Sequence, residues 1–142
     1  YPEKLIPRFI QLLQNDNPVT IQGDGLAVRA FLHVIDTARA FETILEKGMI
    51  GEIYNIGCDE DMEYTVMDVA KLLINKIKKT DAYDKWLLYI PDRPFNDQRY
   101  YISNNKVKEL GWDITIKFED GINDLLSHVT LIDGCPTNKV NC

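Results

Sequence analysis

Between Thr65 and Arg93 the sequence changes its period once, and that change constrains the fold more than any other feature. Val66, Val69, Ala70, Leu72, Leu73 and Ile77 recur at helical spacing, behind a Thr65/Asp68 pair placed as a capping box. The apolar run that follows, Trp86-Leu87-Leu88-Tyr89-Ile90, lacks that spacing and reads as a buried strand. A one-sided helix that hands over to a strand has to bury its stripe against other elements. The expectation is therefore a mixed α/β chain of α+β-like character.

The remaining segments alternate in the same way. Pro7 is tolerated at a helix start, so residues 7–14 are expected to form a short helix with 3–6 as its lead-in. Residues 19–22 read as a strand, Gly23-Asp24-Gly25 as a tight turn and 28–34 as a second extended run. Asp36 is placed to cap a helix over 37–47, with Ala38, Phe41, Ile44 and Leu45 on one face and Gly48 past its end. Residues 52–56 read as a strand leading into Gly57. Ser103 caps a short helix ending at Gly111, Trp112 anchors the core, residues 115–118 are extended, and 119–128 are helical with Ile122, Leu125 and Leu126 inward. From Val129 the pattern is lost. Residues 1–128 are expected to form one lobe, and 129–142 an atypical, disordered tail.

A chain of 142 residues with 45% hydrophobic content suits one domain with a modest core. No apolar run approaches the length of a bilayer span, and the N-terminus lacks a leader's basic, apolar and small-residue order, so a soluble chain is expected. Cys58, Cys135 and Cys142 are odd in number and have no metal-like spacing, which fits free thiols in the cytoplasm and no bound metal. The net charge of −6 is interspersed rather than blocked. The one basic run, Lys76-Ile77-Lys78-Lys79, sits where it complements a helix C-terminus, so no nucleic-acid partner is expected. A few arginines in an acidic chain suit a small anionic ligand better than a polyanion.

Arg93-Pro94-Phe95-Asn96-Asp97-Gln98-Arg99-Tyr100 follows the apolar strand and is dense in polar groups. A strand that delivers its chain into such a loop fixes the position of the loop's binding groups. Pro94 biases Arg93 toward an extended conformation, and arginine offers a planar fork that matches phosphate. Arg93 and Asn96 are expected to face a phosphorylated ligand while Asp97 and Arg99 brace the loop. A solvated Arg-Asp ion pair is the plainer alternative. No strand runs through a glycine-rich turn into a helix, so neither a dinucleotide fingerprint nor a phosphate-cradling P-loop is present.

Four segments in register carry a resemblance. Tyr1-Pro2-Glu3-Lys4-Leu5-Ile6-Pro7, the stretch from Gly23-Asp24-Gly25 through Val28-Arg29 and Phe31-Leu32-His33-Val34 to Asp36, Tyr54-Asn55-Ile56-Gly57, and the Arg93 loop together resemble the C-terminal portion of the extended short-chain dehydrogenase/reductases that act as nucleotide-sugar 4,6-dehydratases. The likeness is to the dTDP-glucose enzymes and to the UDP-glucose dehydratase domain of plant-type rhamnose synthases.

The resemblance implies a substrate-binding lobe for a nucleotide diphosphate-sugar, dTDP- or UDP-glucose. NAD and the chemistry would belong to an N-terminal Rossmann domain absent from this chain, in a parent that is a homodimer. Arg29 and Arg93 would clamp the diphosphate, and Glu3, Lys4 and Leu5 would line the sugar and phosphate side. Thr20 and Gln22 would meet the base or ribose, and Asn55 and Asn96 would add amide contacts. No tyrosine is followed four residues later by lysine, the family's catalytic pair, so no catalytic residue is assigned and the isolated chain is expected to be inactive.

Local readings stay open beside these roles. Lys4 suits a solvated first turn, Gln22 a strand surface, Asn55 a cap on the Gly57 turn, and His33 and Tyr100 packed rings. A noncatalytic binding or assembly module, or the lobe of a sugar-nucleotide epimerase or decarboxylase, are the alternatives. The family commonly carries an aromatic residue where Gln22 stands here, and it ends its last helix with apolar and aromatic residues.

Overall fold

The computed structural model describes residues 3–95 and 97–132. Where one lobe over residues 1–128 is expected, the chain divides into two compact units, because it leaves the first after Phe31 and returns to it at Asp59.

In the first unit, α1 (Leu5–Gln14) begins two residues earlier than Pro7 suggests. Proline is accommodated within the first turn, where its missing N–H has no intrahelical partner to lose. Phe9, Ile10 and Leu13 form the buried face of α1. In β1 (Val19–Gln22) the side chains alternate, Val19 and Ile21 entering the core while Thr20 and Gln22 stay half-buried on the other face. The chain then reverses through Gly23 and Gly25, both at positive φ (58° and 74°), with Leu26 N donating to Asp24 Oδ1 at 2.9 Å.

β2 (Val28–Ala30) pairs antiparallel with β3 (Glu63–Thr65), Arg29 standing opposite Tyr64. The extended run expected over 28–34 therefore ends at Ala30 as a strand. β3 leads directly into α3 (Val66–Lys78), whose capping box is formed: Thr65 Oγ1 accepts from Asp68 N and Asp68 Oδ2 accepts from Thr65 N, both at 3.0 Å. Val69, Ala70, Leu73 and Ile74 are its buried face, packed on α1 and β1. β4 (Leu87–Ile90) pairs in parallel with β1, from Val19 opposite Leu87 to Gln22 opposite Ile90. It is not the buried strand its composition suggests. Leu88 and Tyr89, which project from opposite faces of the strand, are 49% and 57% exposed, so neither face is fully covered by the described residues.

In the second unit, α2 (Val34–Lys47) starts three residues before the expected Thr37. His33 is its N-cap, accepting from Ile35 N at 3.3 Å, so Asp36 is not the cap but lies inside the first turn, fully buried. Ala40, Val107 and Trp112 form the core with Leu32, Ile44, Ile56 and Ile114 against them. Val107 comes from α4 (Asn105–Lys108), which is shorter than expected and has Asn104, not Ser103, as its N-cap, although Ser103 Oγ accepts from Asn105 N at 3.4 Å. The face expected to be buried on α2 is corrected: Ile44 packs, but Ala38 is exposed and Phe41 and Leu45 are 57% and 86% exposed.

Residues 52–56 pair with no strand among the described residues, although Ile56 packs into the core. α5 (Phe118–Ile132) runs past the expected loss of pattern at Val129, and the rest of the expected tail, 133–142, lies outside the described residues. No described helix is long and apolar enough to cross a membrane.

Candidate functional site

One cavity of about 650 Å³ lies wholly within the first unit. The start of α1 supplies Glu3, Lys4, Leu5 and Arg8, the outward face of β1 supplies Thr20 and Gln22, β2 supplies Arg29, and the loop after β4 supplies Arg93. Four cationic side chains thus line one space with a single carboxylate, Glu3. Among the described residues none of Lys4, Arg8 and Arg93 is ion-paired. A volume of this size, lined by both polar and apolar side chains, suits a small-molecule ligand, and the uncompensated positive charge favours an anionic one.

Arg93 is delivered by the β1–β4 pairing. Gly23 N donates to Ile90 O at 3.0 Å, continuing the ladder one step past Gln22. A Cβ on Gly23 would lie 3.1 Å from Asp92 Oδ2, so glycine lets the Asp92 side chain close over the strand end. Asp92 Oδ1 in turn accepts from Arg93 N at 2.8 Å. The Arg93 side chain then donates from Nε to Gln22 Oε1 at 3.0 Å, across 71 residues of sequence.

Arg29 ties the polar loop to β2. Its Nη1 donates to Val28 O at 2.7 Å and to Asp97 O at 3.0 Å, and its guanidinium lies 5.3 Å from the centre of the Tyr100 ring. Tyr100 in turn donates its hydroxyl to Asp97 Oδ2, which pushes the phenol's pKa upward. Val28 N donates to Gln98 O at 2.7 Å, so the loop lies along the free edge of β2.

Arg99 braces the same loop, as its sequence position suggests, through a bidentate pair with Glu63 on β3 rather than with Asp97: Nη2 to Oε2 is 2.6 Å and Nε to Oε1 is 3.0 Å. The hydrogen bond from Arg99 holds the Glu63 carboxyl below its ordinary pKa.

Of the candidate residues named from sequence, Glu3, Lys4, Leu5, Thr20, Gln22, Arg29 and Arg93 are brought together around the cavity. Asn55 lies in the second unit, and Asn96 lies outside the described residues. Arg8 was missed by sequence reading. It follows Lys4 by one helical turn, a signal that emerges only once α1 is started at Leu5. In the second unit His33 caps α2, which accounts for it without chemistry.

The chain has counterparts among known proteins. A family model described as GDP-mannose 4,6 dehydratase matches residues 1–125. The dTDP-D-glucose 4,6-dehydratase of Mus musculus is 46% identical over 125 residues, a match that takes in 86% of this chain and 35% of that protein. The trifunctional UDP-glucose 4,6-dehydratase/UDP-4-keto-6-deoxy-D-glucose 3,5-epimerase/UDP-4-keto-L-rhamnose-reductase of Arabidopsis thaliana is 43% identical over 130 residues, 92% of this chain and 19% of that one. Among solved structures, the dTDP-glucose 4,6-dehydratase DesIV of Streptomyces venezuelae, with NAD bound, superposes with a TM-score of 0.81 at 29% identity, covering 94% of this chain and 40% of its own. The chain thus spans about a third of the mouse relative's length and less of the plant one's.

Proposed function

The chain belongs to the GDP-mannose 4,6 dehydratase family, whose members here are nucleotide-sugar 4,6-dehydratases, and from that premise we propose that it is the substrate-binding part of an NAD-dependent dTDP- or UDP-glucose 4,6-dehydratase. The observation that carries the reading is the convergence of Arg29 and Arg93, far apart in sequence, with Lys4 and Arg8 on one cavity. In this reading the cations hold the diphosphate, where each charge-assisted hydrogen bond contributes about 1.5–3 kcal/mol. Thr20 lies on the side of the nucleoside, Gln22 acts through its bond to Arg93, and Glu3 and Leu5 lie on the side of the sugar. Asn55 and Asn96 remain candidates for further amide contacts.

The described residues do not fit NAD. The turn at Gly23 and Gly25 leads from β1 to β2 rather than into a helix N-terminus, so no backbone cradle receives a pyrophosphate there. We assign the cofactor, the hydride transfer and the loss of water to an NAD-binding domain of a longer parent enzyme, in which this chain holds the substrate. The exposed apolar row of the second unit, Val34, Phe41 and Leu45 on α2 with Ile50 and Ile53 after it, supports a surface covered in that parent.

Calorimetric titration of the chain with UDP and dTDP tests the reading. Binding that weakens at least tenfold in both Arg29→Ala and Arg93→Ala is expected, and heat that is absent or unchanged in the variants overturns it. Incubation with NAD and UDP-glucose or dTDP-glucose is expected to give no 4-keto-6-deoxy product.

A further inference from the structure

We propose that Gln22 is a positioning residue that selects which edge of the Arg93 guanidinium meets the ligand. The inference rests on the reading of this cavity as a diphosphate site and adds to it a device that orients the charge.

A guanidinium carries five N–H donors and no acceptor, so the Gln22 atom facing Arg93 Nε at 3.0 Å is the carbonyl oxygen and the orientation of its amide is fixed. A planar guanidinium can grip an oxyanion along its side, through Nε and one terminal nitrogen, or end-on, through both terminal nitrogens. Gln22 occupies Nε and thereby removes the side-on mode. The end-on pair is what remains, and among the described residues Nη1 and Nη2 of Arg93 meet no acceptor.

The two partners are held from both sides. Gln22 is the last residue of β1, locked in register opposite Ile90, and Arg93 has its backbone N–H fixed by Asp92. Strand pairing therefore sets the distance that the side-chain bond spans. A neutral amide does this without spending the positive charge, which a carboxylate at the same position would cancel. That distinguishes Arg93 from Arg99, whose guanidinium is committed to Glu63.

Two measurements on the 142-residue chain test the inference. In nitrogen-detected or proton–nitrogen NMR without ligand, the Arg93 Nε–H signal is expected to be protected from solvent exchange and to lose that protection in Gln22→Met. An unprotected signal in the wild type overturns the inference whatever the ligand does.

The second is a double-mutant cycle with UDP and uridine as probes. Gln22→Met is expected to weaken UDP about tenfold, leave uridine within a factor of two, and cost nothing further in an Arg93→Ala background. Equal losses for UDP and uridine, or additive losses with Arg93→Ala, overturn the inference by showing direct contact, while the diphosphate reading survives. A wild-type chain that binds no UDP overturns the diphosphate reading and the inference built on it. Gln22→Glu, which keeps the acceptor but adds a charge, is expected to retain the protected signal and still lose UDP affinity.

Discussion

Asp36 and Thr115, 79 residues apart, are joined twice: Thr115 Oγ1 donates to Asp36 Oδ1 at 2.7 Å and Thr115 N to Oδ2 at 3.1 Å. Ile116 N and Arg39 Nη1 complete the shell at 2.9 and 3.0 Å, while Trp112 Nε1 donates to the Asp36 carbonyl at 2.9 Å. One fully buried carboxylate thus fastens the chain before α5 to the first turn of α2. Its burial pushes its pKa up, but the hydrogen bonds from Thr115 and Ile116, with the charge of Arg39, outweigh that and leave it below the ordinary value.

Asp36→Ala is expected to destabilise the second unit by about 3 kcal/mol, since it removes the buried acceptor shared by four donors at once. With a urea slope of about 1–3 kcal/mol per molar, the midpoint falls by at least about 1 M. Each unit carries one tryptophan, so a Trp86→Phe background leaves Trp112 as the reporter of the second unit. Because the folded pKa is depressed, the stabilisation is complete above the unfolded value of about 3.9 and is lost as pH falls through the folded one. In the variant that acid-dependent component should vanish, and an unchanged acid limb would refute the assignment.

Glu63→Gln is expected to loosen the polar loop. The charge of Arg99 stays, but the bidentate acceptor goes, so amide exchange over 97–101 should rise at least threefold while β1 and β4 are unaffected. Glu63 also has a depressed pKa, caused first by its hydrogen bond from Arg99. The clamp is therefore expected to be whole above about pH 4.3 and to open as the pH drops through the folded value. Exchange that stays the same in the variant would mean that Arg29 and the Val28–Gln98 bond hold the loop without it.

Elements governed by neighbours in sequence were legible. The capping box at Thr65 and Asp68 needs residues three apart, and it formed as the spacing suggests. Asp36 was misread for the same reason, because the cap rule sees only its next few residues while its partners are Thr115 and Ile116. The stripe of Phe41 and Leu45 has the period of a buried face, yet period states only that a face is apolar and not that this chain covers it. Residues 52–56 have strand composition without a strand beside them. At the site, Arg29 and Arg93 were found through a resemblance. The Gln22–Arg93 bond was not foreseen, since nothing in two residues 71 apart announces that strand register will bring them together.

Gly25 and Gly51 separate two costs of replacing a glycine. Both have positive φ, 74° and 89°, but a Cβ at Gly25 would lie 2.8 Å from Ile21 Cγ2 whereas at Gly51 nothing lies within 4 Å. Gly51→Ala should cost about 1–2 kcal/mol, the left-handed penalty alone. Gly25→Ala adds a clash with a fully buried core residue and should cost about 2 kcal/mol more. Urea denaturation followed by circular dichroism checks the order, and equal costs would show that Ile21 moves aside freely.

Arg29 has two tasks that separate by substitution. Its Nη1 holds the Asp97 carbonyl and its guanidinium lies over the Tyr100 ring, while the same side chain lines the cavity. Arg29→Lys keeps a positive charge but replaces a planar fork by a point charge, so it should lose UDP affinity about tenfold and also speed exchange in the loop. Tyr100→Phe removes only the hydroxyl that donates to Asp97 and leaves the ring face to Arg29, so affinity should stay within about threefold. Tyr100→Ala, which takes away the ring as well, should approach the loss seen with Arg29→Lys. If Tyr100→Phe and Tyr100→Ala prove equal, the hydroxyl rather than the stacked ring keeps Arg29 in place, and the guanidinium's planarity matters only for the ligand.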